Sequence, residues 1–232
     1  MEVIKIVDNF KIIGNILKFE DRFDFYFLQI LQRKKDGNQV PSANNGFRTI
    51  KTYYIRSLED FYNREDAIKD LCRKNNARAY INVTPRNATE IALAASKEYI
   101  TLVEEGRADQ GYRVYDRMCG KFSKKKTRDS WVIDIDFNDP VAIGCVESAI
   151  CKSTSRNEVE PGLYDNIIAR VPTVSGLHLI TCGFNINMFK ENLKTEYGNN
   201  KTQIQIPYEE IIGIEIKKNN PTLLYFEKIR ED

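Results

Sequence analysis

Residues 130 to 138 read SWVIDIDFN. In an extended strand, alternation puts Val132, Asp134 and Asp136 on one face and Trp131, Ile133, Ile135 and Phe137 on the other. Asp134 and Asp136 then stand side by side, with Cα atoms ~6.5 Å apart. Two carboxylates so placed repel, and burying them unpaired is costly because ionised groups lose their hydration. Basic side chains or divalent cations would offset that cost. A pair of metal ions ~4 Å apart can clamp the attacking and leaving oxygens of an in-line phosphoryl displacement. The plainer reading is a strand end running out into solvent. DxD pairs also serve glycosyltransferases, nucleases and polymerases, so the pair alone does not choose a reaction.

A second group lies in PTVSGLHLIT, residues 172 to 181. It holds the chain's single histidine, His178, early in a strand and just after a Ser175-Gly176 turn. Alternation sets His178 and Ile180 on the face opposite Leu177 and Leu179. A serine hydroxyl, turn amides and an imidazole can together hold phosphate oxygens. A packed or surface histidine beside a hairpin is the competing reading. A third group is Lys121 to Arg128, five of whose eight residues are basic. Such a run is ordinarily a solvated loop. Its functional version is a contact to a phosphate backbone, just upstream of the aspartate strand.

These residues need elements to position them. EVIKIV, FKIIGNILKF, FDFYFLQILQ and TIKTYYI read as strands, rich in β-branched and aromatic residues. The segment RKKDGNQVPSANNGFR reads as an exposed loop. Ser57, with Asp60 three residues on, caps a helix running to about Arg73. RAYINVTP is a strand, and Asn87 starts a second helix. Residues from Gly111 to Arg128 look irregular and basic. After the WVIDID strand, Asp139 and Pro140 take the N-cap and N1 positions of a third helix. Two strands, NIIARVPTV and LHLITCGF, flank the Ser-Gly turn. A helix around MFKENLKTEYG leads to closing strands IIGIEIKK and PTLLYFEKI. Mixed elements with hairpins point to an α+β fold rather than a doubly wound parallel sheet.

Bulk properties restrict the function class. A chain of 232 residues can hold one large core or two small subdomains. Its hydrophobic and charged fractions, 42% and 29%, are those of an ordinary globular protein. Net charge is only +2, so any basic surface must be local. No signal-peptide core and no membrane-length apolar run is present. Five cysteines without a CxxC pair, and one histidine, argue against a structural zinc site and for a reducing cytoplasm.

A strand ending in DxD, then a helix, a hairpin carrying S-G-x-H, and closing strands resembles the archaeo-eukaryotic primase superfamily. That group includes replicative primases, primase–polymerases and the bifunctional domains of plasmids and phages. The likeness covers roughly the last 110 residues well and the N-terminal part only in general architecture. It implies two fused α/β subunits, about 1–110 and 111–232, with the active site in the cleft between their sheets. The C-terminal subunit would be ferredoxin-like or RNA-recognition-like. It implies a template-dependent nucleotidyltransferase, with Asp134 and Asp136 holding Mg²⁺ or Mn²⁺. Ser175, Gly176 and His178 would hold the triphosphate of the incoming nucleotide. Single-stranded DNA would be the template, with Arg128, Arg170 and Lys124–Lys126 as candidate contacts and aromatic rings available for stacking. A separate helicase would unwind the duplex, as for a phage or mobile element.

One feature departs from the family. Its third motif supplies a further carboxylate on a closing strand, yet between Asp165 and Asp232 this chain has no aspartate. Glu215, in IGIEIKK, is one substitute. Asn219 or Asn220 is the other, and an amide there would weaken a two-metal site. Two rival functions therefore stand beside the transferase. One is a degenerate nucleic-acid-binding module, the other a DxD glycosyltransferase, for which no Gly-rich first βα turn is seen.

Overall fold

The computed structural model describes residues 2–41, 46–123, 130–153 and 166–230. The fold is mixed α+β with two antiparallel sheets. Two compact units divide the chain: unit 1 is Met1–Thr127 with Leu223–Asp232, and unit 2 is Arg128–Thr222.

Unit 1 contains β1 (Glu2–Asp8), α1 (Phe10–Gly14), β2 (Asp24–Arg33) and β3 (Phe47–Ile55). Next come α2 (Leu58–Asn63), α3 (Glu65–Lys74), β4 (Arg78–Asn82), β5 (Arg86–Asn87), α4 (Ala88–Glu104) and α5 (Val114–Lys121). Strand β10 (Pro221–Arg230) supplies the last member, giving the sheet order β1-β10-β4-β2-β3 with β5 beside β2. Phe25 and Phe27 of β2 bury one face against Ile91 and Leu102 of α4 and Val114 and Met118 of α5. Each such side chain contributes about 1.5–3 kcal/mol on leaving water.

Unit 2 runs β6 (Ser130–Ile135), α6 (Pro140–Lys152), β7 (Ile167–Pro172), β8 (Leu177–Cys182), α7 (Ile186–Asn200), α8 (Tyr208–Ile212) and β9 (Glu215–Lys218). Its sheet order is β7-β8-β6-β9, so β6 and β8 are central. Trp131, Ile133 and Ile135 of β6 pack with Val146 and Ile150 of α6 and with Phe189 and Leu193 of α7. One face of the sheet is thus committed to the helices. Among the described residues no helix is long and apolar enough to cross a membrane.

Four local expectations are corrected. FKIIGNILKF is not a strand: Phe10–Gly14 is helical. Asn9 ends β1 by donating from its backbone to Leu224 O (2.9 Å) and from Nδ2 to Leu223 O (2.9 Å). Phe10, Ile13 and Leu17 are then buried at helical spacing, a period masked by the β-branched composition. The helix begun at Ser57 is two pieces meeting at Arg64. Asp60 closes the first piece on itself, accepting from Arg56 N–H (3.2 Å) and Arg64 Nε (2.6 Å). The stretch after Gly111 is not wholly irregular, because Val114 and Met118, four apart, anchor α5 in the core. Finally, Ile211 and Ile212 belong to α8 rather than a strand. Pro207 precedes the helix and Glu209 and Glu210 occupy its first turn, where acids suit the helix dipole.

Candidate functional site

The face of β6 that turns away from the helices carries Val132 and Asp134. In register, Asp134 lies opposite His178 of β8 on one side and Glu215 of β9 on the other. Residues directly opposite in antiparallel strands point the same way. Glu215, Asp134 and His178 therefore form one row across three adjacent strands, with Val171 of β7 next in line. One step along the strands lies a second row, Lys217, Val132 and Ile180. Val132 and Ile180 are buried, at 1% and 0% exposure. The polar row thus sits beside the apolar pair Val132 and Ile180, and stands at the end of β6 where the chain leaves the sheet.

His178 joins this row to a partner that sequence reasoning missed. Its Nε2 is 3.2 Å from Asp134 Oδ1, and its Nδ1 is 2.9 Å from Thr222 Oγ1. An ionised carboxylate only accepts, so Nε2 carries the proton facing Asp134. In the neutral ring Nδ1 then accepts from the Thr222 hydroxyl, which selects one tautomer. The order Thr–His–Asp suggests a nucleophilic triad, but Thr222 is fully buried and no substrate carbon or phosphorus could reach it. Thr222 orients the ring instead. No local signal marks it in the sequence, because its place depends on the β9–β10 turn.

The Ser175-Gly176 turn meets the end of the aspartate strand. A Cβ on Gly176 would lie 2.0 Å from Ile135 O and 3.1 Å from Asp136 Cα. Only glycine permits this approach of backbone to backbone. The two sequence motifs are therefore in contact. Gly176 N–H donates to Thr173 Oγ1 (3.0 Å) and Thr173 N–H donates to Gly176 O (2.9 Å). The glycine amide is engaged within the turn, while Ser175 is exposed. Asp136, just past β6, is exposed as well, whereas Asp134 retains a side-chain exposure of 32%.

Asp139 is a third carboxylate close in sequence with a different task. It accepts from Val141 N (2.9 Å) and Ala142 N (3.0 Å) at the start of α6, and from Gln205 N (2.7 Å). These backbone donors hold its carboxyl below the usual range. It is a structural cap.

Register also separates the two substitutes for the missing aspartate. Glu215 is directly across from Asp134, and its carboxylate pairs with Lys217 while remaining largely exposed. Asn219 donates from its backbone to Ser130 O (3.1 Å), four residues down β6 from Asp134, or ~13 Å along a strand. It has φ +53° and serves the turn into β10, a conformation asparagine tolerates better than most residues. Arg170 is held by Glu147 through two contacts of 2.5 and 2.7 Å. Lys124–Lys126 and Arg128 lie outside the described residues.

The donor set suits a hard divalent cation, since carboxylate oxygens are the ligands Mg²⁺ and Mn²⁺ prefer. Among the described residues, no three His, Cys, Asp or Glu side chains are gathered into a metal-holding group. Magnesium sites that act on nucleotides commonly use one or two carboxylates, completed by phosphate and water. Comparison with family models, with curated proteins and with solved structures returns no match.

Proposed function

We propose that the protein is a template-dependent nucleotidyltransferase of the primase–polymerase kind. The observation that carries this reading is the register itself. It sets Asp134 beside His178, places Glu215 opposite Asp134, and seats the Ser175-Gly176 turn on the backbone at Ile135 and Asp136. The order β6-α6-β7-β8-α7-α8-β9, with strands arranged β7-β8-β6-β9, supports the same reading, which expects a ferredoxin-like β-α-β-β-α-β pattern in this part of the chain. Two fused α/β subunits sharing a cleft are its finer architectural expectation.

Asp134 and Asp136 would hold Mg²⁺ or Mn²⁺, with Glu215 as the third carboxylate. When bound, the metal lowers the pKa of an attacking hydroxyl and neutralises charge on phosphate oxygens. The 3′-hydroxyl of a primer or first nucleotide would lose its proton to water and attack the α-phosphorus of the incoming triphosphate, and pyrophosphate would leave with the electrons of the broken P–O bond. His178, held by Thr222, donates its Nε2–H to Asp134, and would pass that hydrogen bond to a phosphate oxygen when the triphosphate is bound. Ser175 adds a hydroxyl at the strand end. Glu215 must part from Lys217 to serve as a ligand, an inexpensive step for an exposed pair. The partners are single-stranded DNA and nucleoside triphosphates, with unwinding supplied by another protein.

Primer synthesis on single-stranded DNA with Mn²⁺ and labelled nucleotides tests the reading. Wild type should give product, and Asp134→Asn and Glu215→Gln should each abolish it while staying folded. An inactive wild type that still binds strands would favour the second reading, a degenerate binding module. That alternative draws on the pairing of Glu215 with Lys217 and on the absence of a third aspartate.

A further inference from the structure

Unit 1 carries two adjoining grooves along β3, the terminal strand of its sheet. One, of about 390 Å³, has Lys51, Arg56 and Arg64 in its walls together with Tyr53 and Tyr54. The other, of about 740 Å³, has Lys51 again with Tyr112, Arg113 and Arg117. Because both are lined by Lys51 and Thr52, they make one path along the sheet edge. The two acids in the walls are already engaged. Asp60 pairs with Arg64 (2.6 Å), and Asp116 accepts from the Tyr54 hydroxyl and from Thr52 Oγ1 (3.3 Å). Lys51, Arg56 and Arg113 are exposed and have no carboxylate partner among the described residues. In a chain whose net charge is +2, that is a local concentration of positive charge.

The placement of the cations and an aromatic ring identify the occupant. Lys51 and Arg56 line one groove and Lys51 and Arg113 the adjoining one, so three cations without carboxylate partners among the described residues follow one path, an arrangement suited to a polyanion. Tyr112 is 80% exposed, with the Arg113 guanidinium 5.1 Å from its ring centroid. An open ring on a basic path is a stacking platform for an unpaired base, which an acidic peptide or a closed duplex would not use. We infer that this path binds single-stranded nucleic acid, with phosphates along Lys51, Arg56 and Arg113 and a base on Tyr112. The class of partner rests on the function proposed above, but the binding needs no transfer chemistry.

Fluorescence anisotropy with labelled oligo-dT, followed over a salt series, tests it. The triple variant Lys51→Gln, Arg56→Gln, Arg113→Gln should weaken binding ten- to a hundredfold at low salt. The slope of log K against log salt should fall by ~2, at ~0.7 for each phosphate no longer neutralised. Tyr112→Ala should weaken binding at least several-fold and leave the slope unchanged. All four side chains are exposed, so melting temperatures should match wild type. Loss of binding in the triple variant supports the site even in a protein that transfers nothing. Wild-type affinity in the triple variant overturns it even in a protein that makes primers. Equal affinity for polyglutamate or for duplex DNA also overturns it.

Discussion

Two carboxylate pairs, one in each unit, are built to opposite ends. In unit 1 Asp36 and Arg78 are both buried, at 7% and 9% side-chain exposure. Arg78 donates through Nε (2.7 Å) and Nη2 to the two carboxylate oxygens, and lies 4.6 Å over the Phe226 ring. The fork satisfies both oxygens and water is kept out. In unit 2 Asp134 meets His178 through one ring nitrogen at 3.2 Å and keeps a third of its side chain exposed. A saturated pair can only hold the fold. A carboxylate that keeps a third of its side chain exposed to solvent can still take a ligand, and that difference separates support from site.

The largest expected effect breaks the comparison from the structural side. Asp36→Asn should leave the Arg78 charge buried without a counter-charge and cost about 3–5 kcal/mol in urea unfolding. Asp134→Asn keeps shape at a part-exposed position and should change stability by less than about 1 kcal/mol. Equal losses in the two variants would erase the distinction.

Asp139 gives a smaller effect with a defined pH signature. Asp139→Ala removes a helix cap and the tie to Gln205 and should cost about 1–2 kcal/mol without touching metal binding. Because its folded carboxyl titrates below the unfolded one, its contribution is full at neutral pH. That contribution is lost as pH falls below the ordinary aspartate value, 3.8, through the depressed folded value. Unfolding midpoints of wild type and Asp139→Asn should therefore converge in acid. Parallel curves would remove Asp139 from the account.

Thr222→Val should cost less than loss of the Asp139 cap, about 1 kcal/mol. Its signature is spectroscopic. The chain has one histidine, so ¹⁵N shifts report the His178 tautomer without ambiguity. Wild type should show Nε2–H, Thr222→Val a mixture, and Thr222→Ser the wild-type pattern again.

These comparisons also show what the sequence can carry. The faces of β6 and β8 are legible, since alternation is local and Trp131, Ile133, Ile135 and Leu179 are all core. The caps at Ser57, Asn87 and Asp139 are equally legible, because each side chain bonds amides two or three residues on. Register is not. Whether Glu215 or Asn219 meets Asp134 depends on pairing between β6 and β9, which lie far apart in the chain and whose alignment no local pattern encodes. Thr222 escapes for the same reason. Arg170 looks like a free cation in the sequence, and only folding brings Glu147 to it.

The most direct test of the central claim uses the same lone imidazole. Mn²⁺ is paramagnetic and broadens resonances close to its site. Titrating Mn²⁺ with a nucleoside triphosphate into wild type should broaden the His178 ring signals selectively and early. In Asp134→Asn, Asp136→Asn the same titration should leave them sharp. His178 signals untouched in wild type, or broadened alike in both proteins, would contradict a metal-assisted nucleotide site on this row of the sheet.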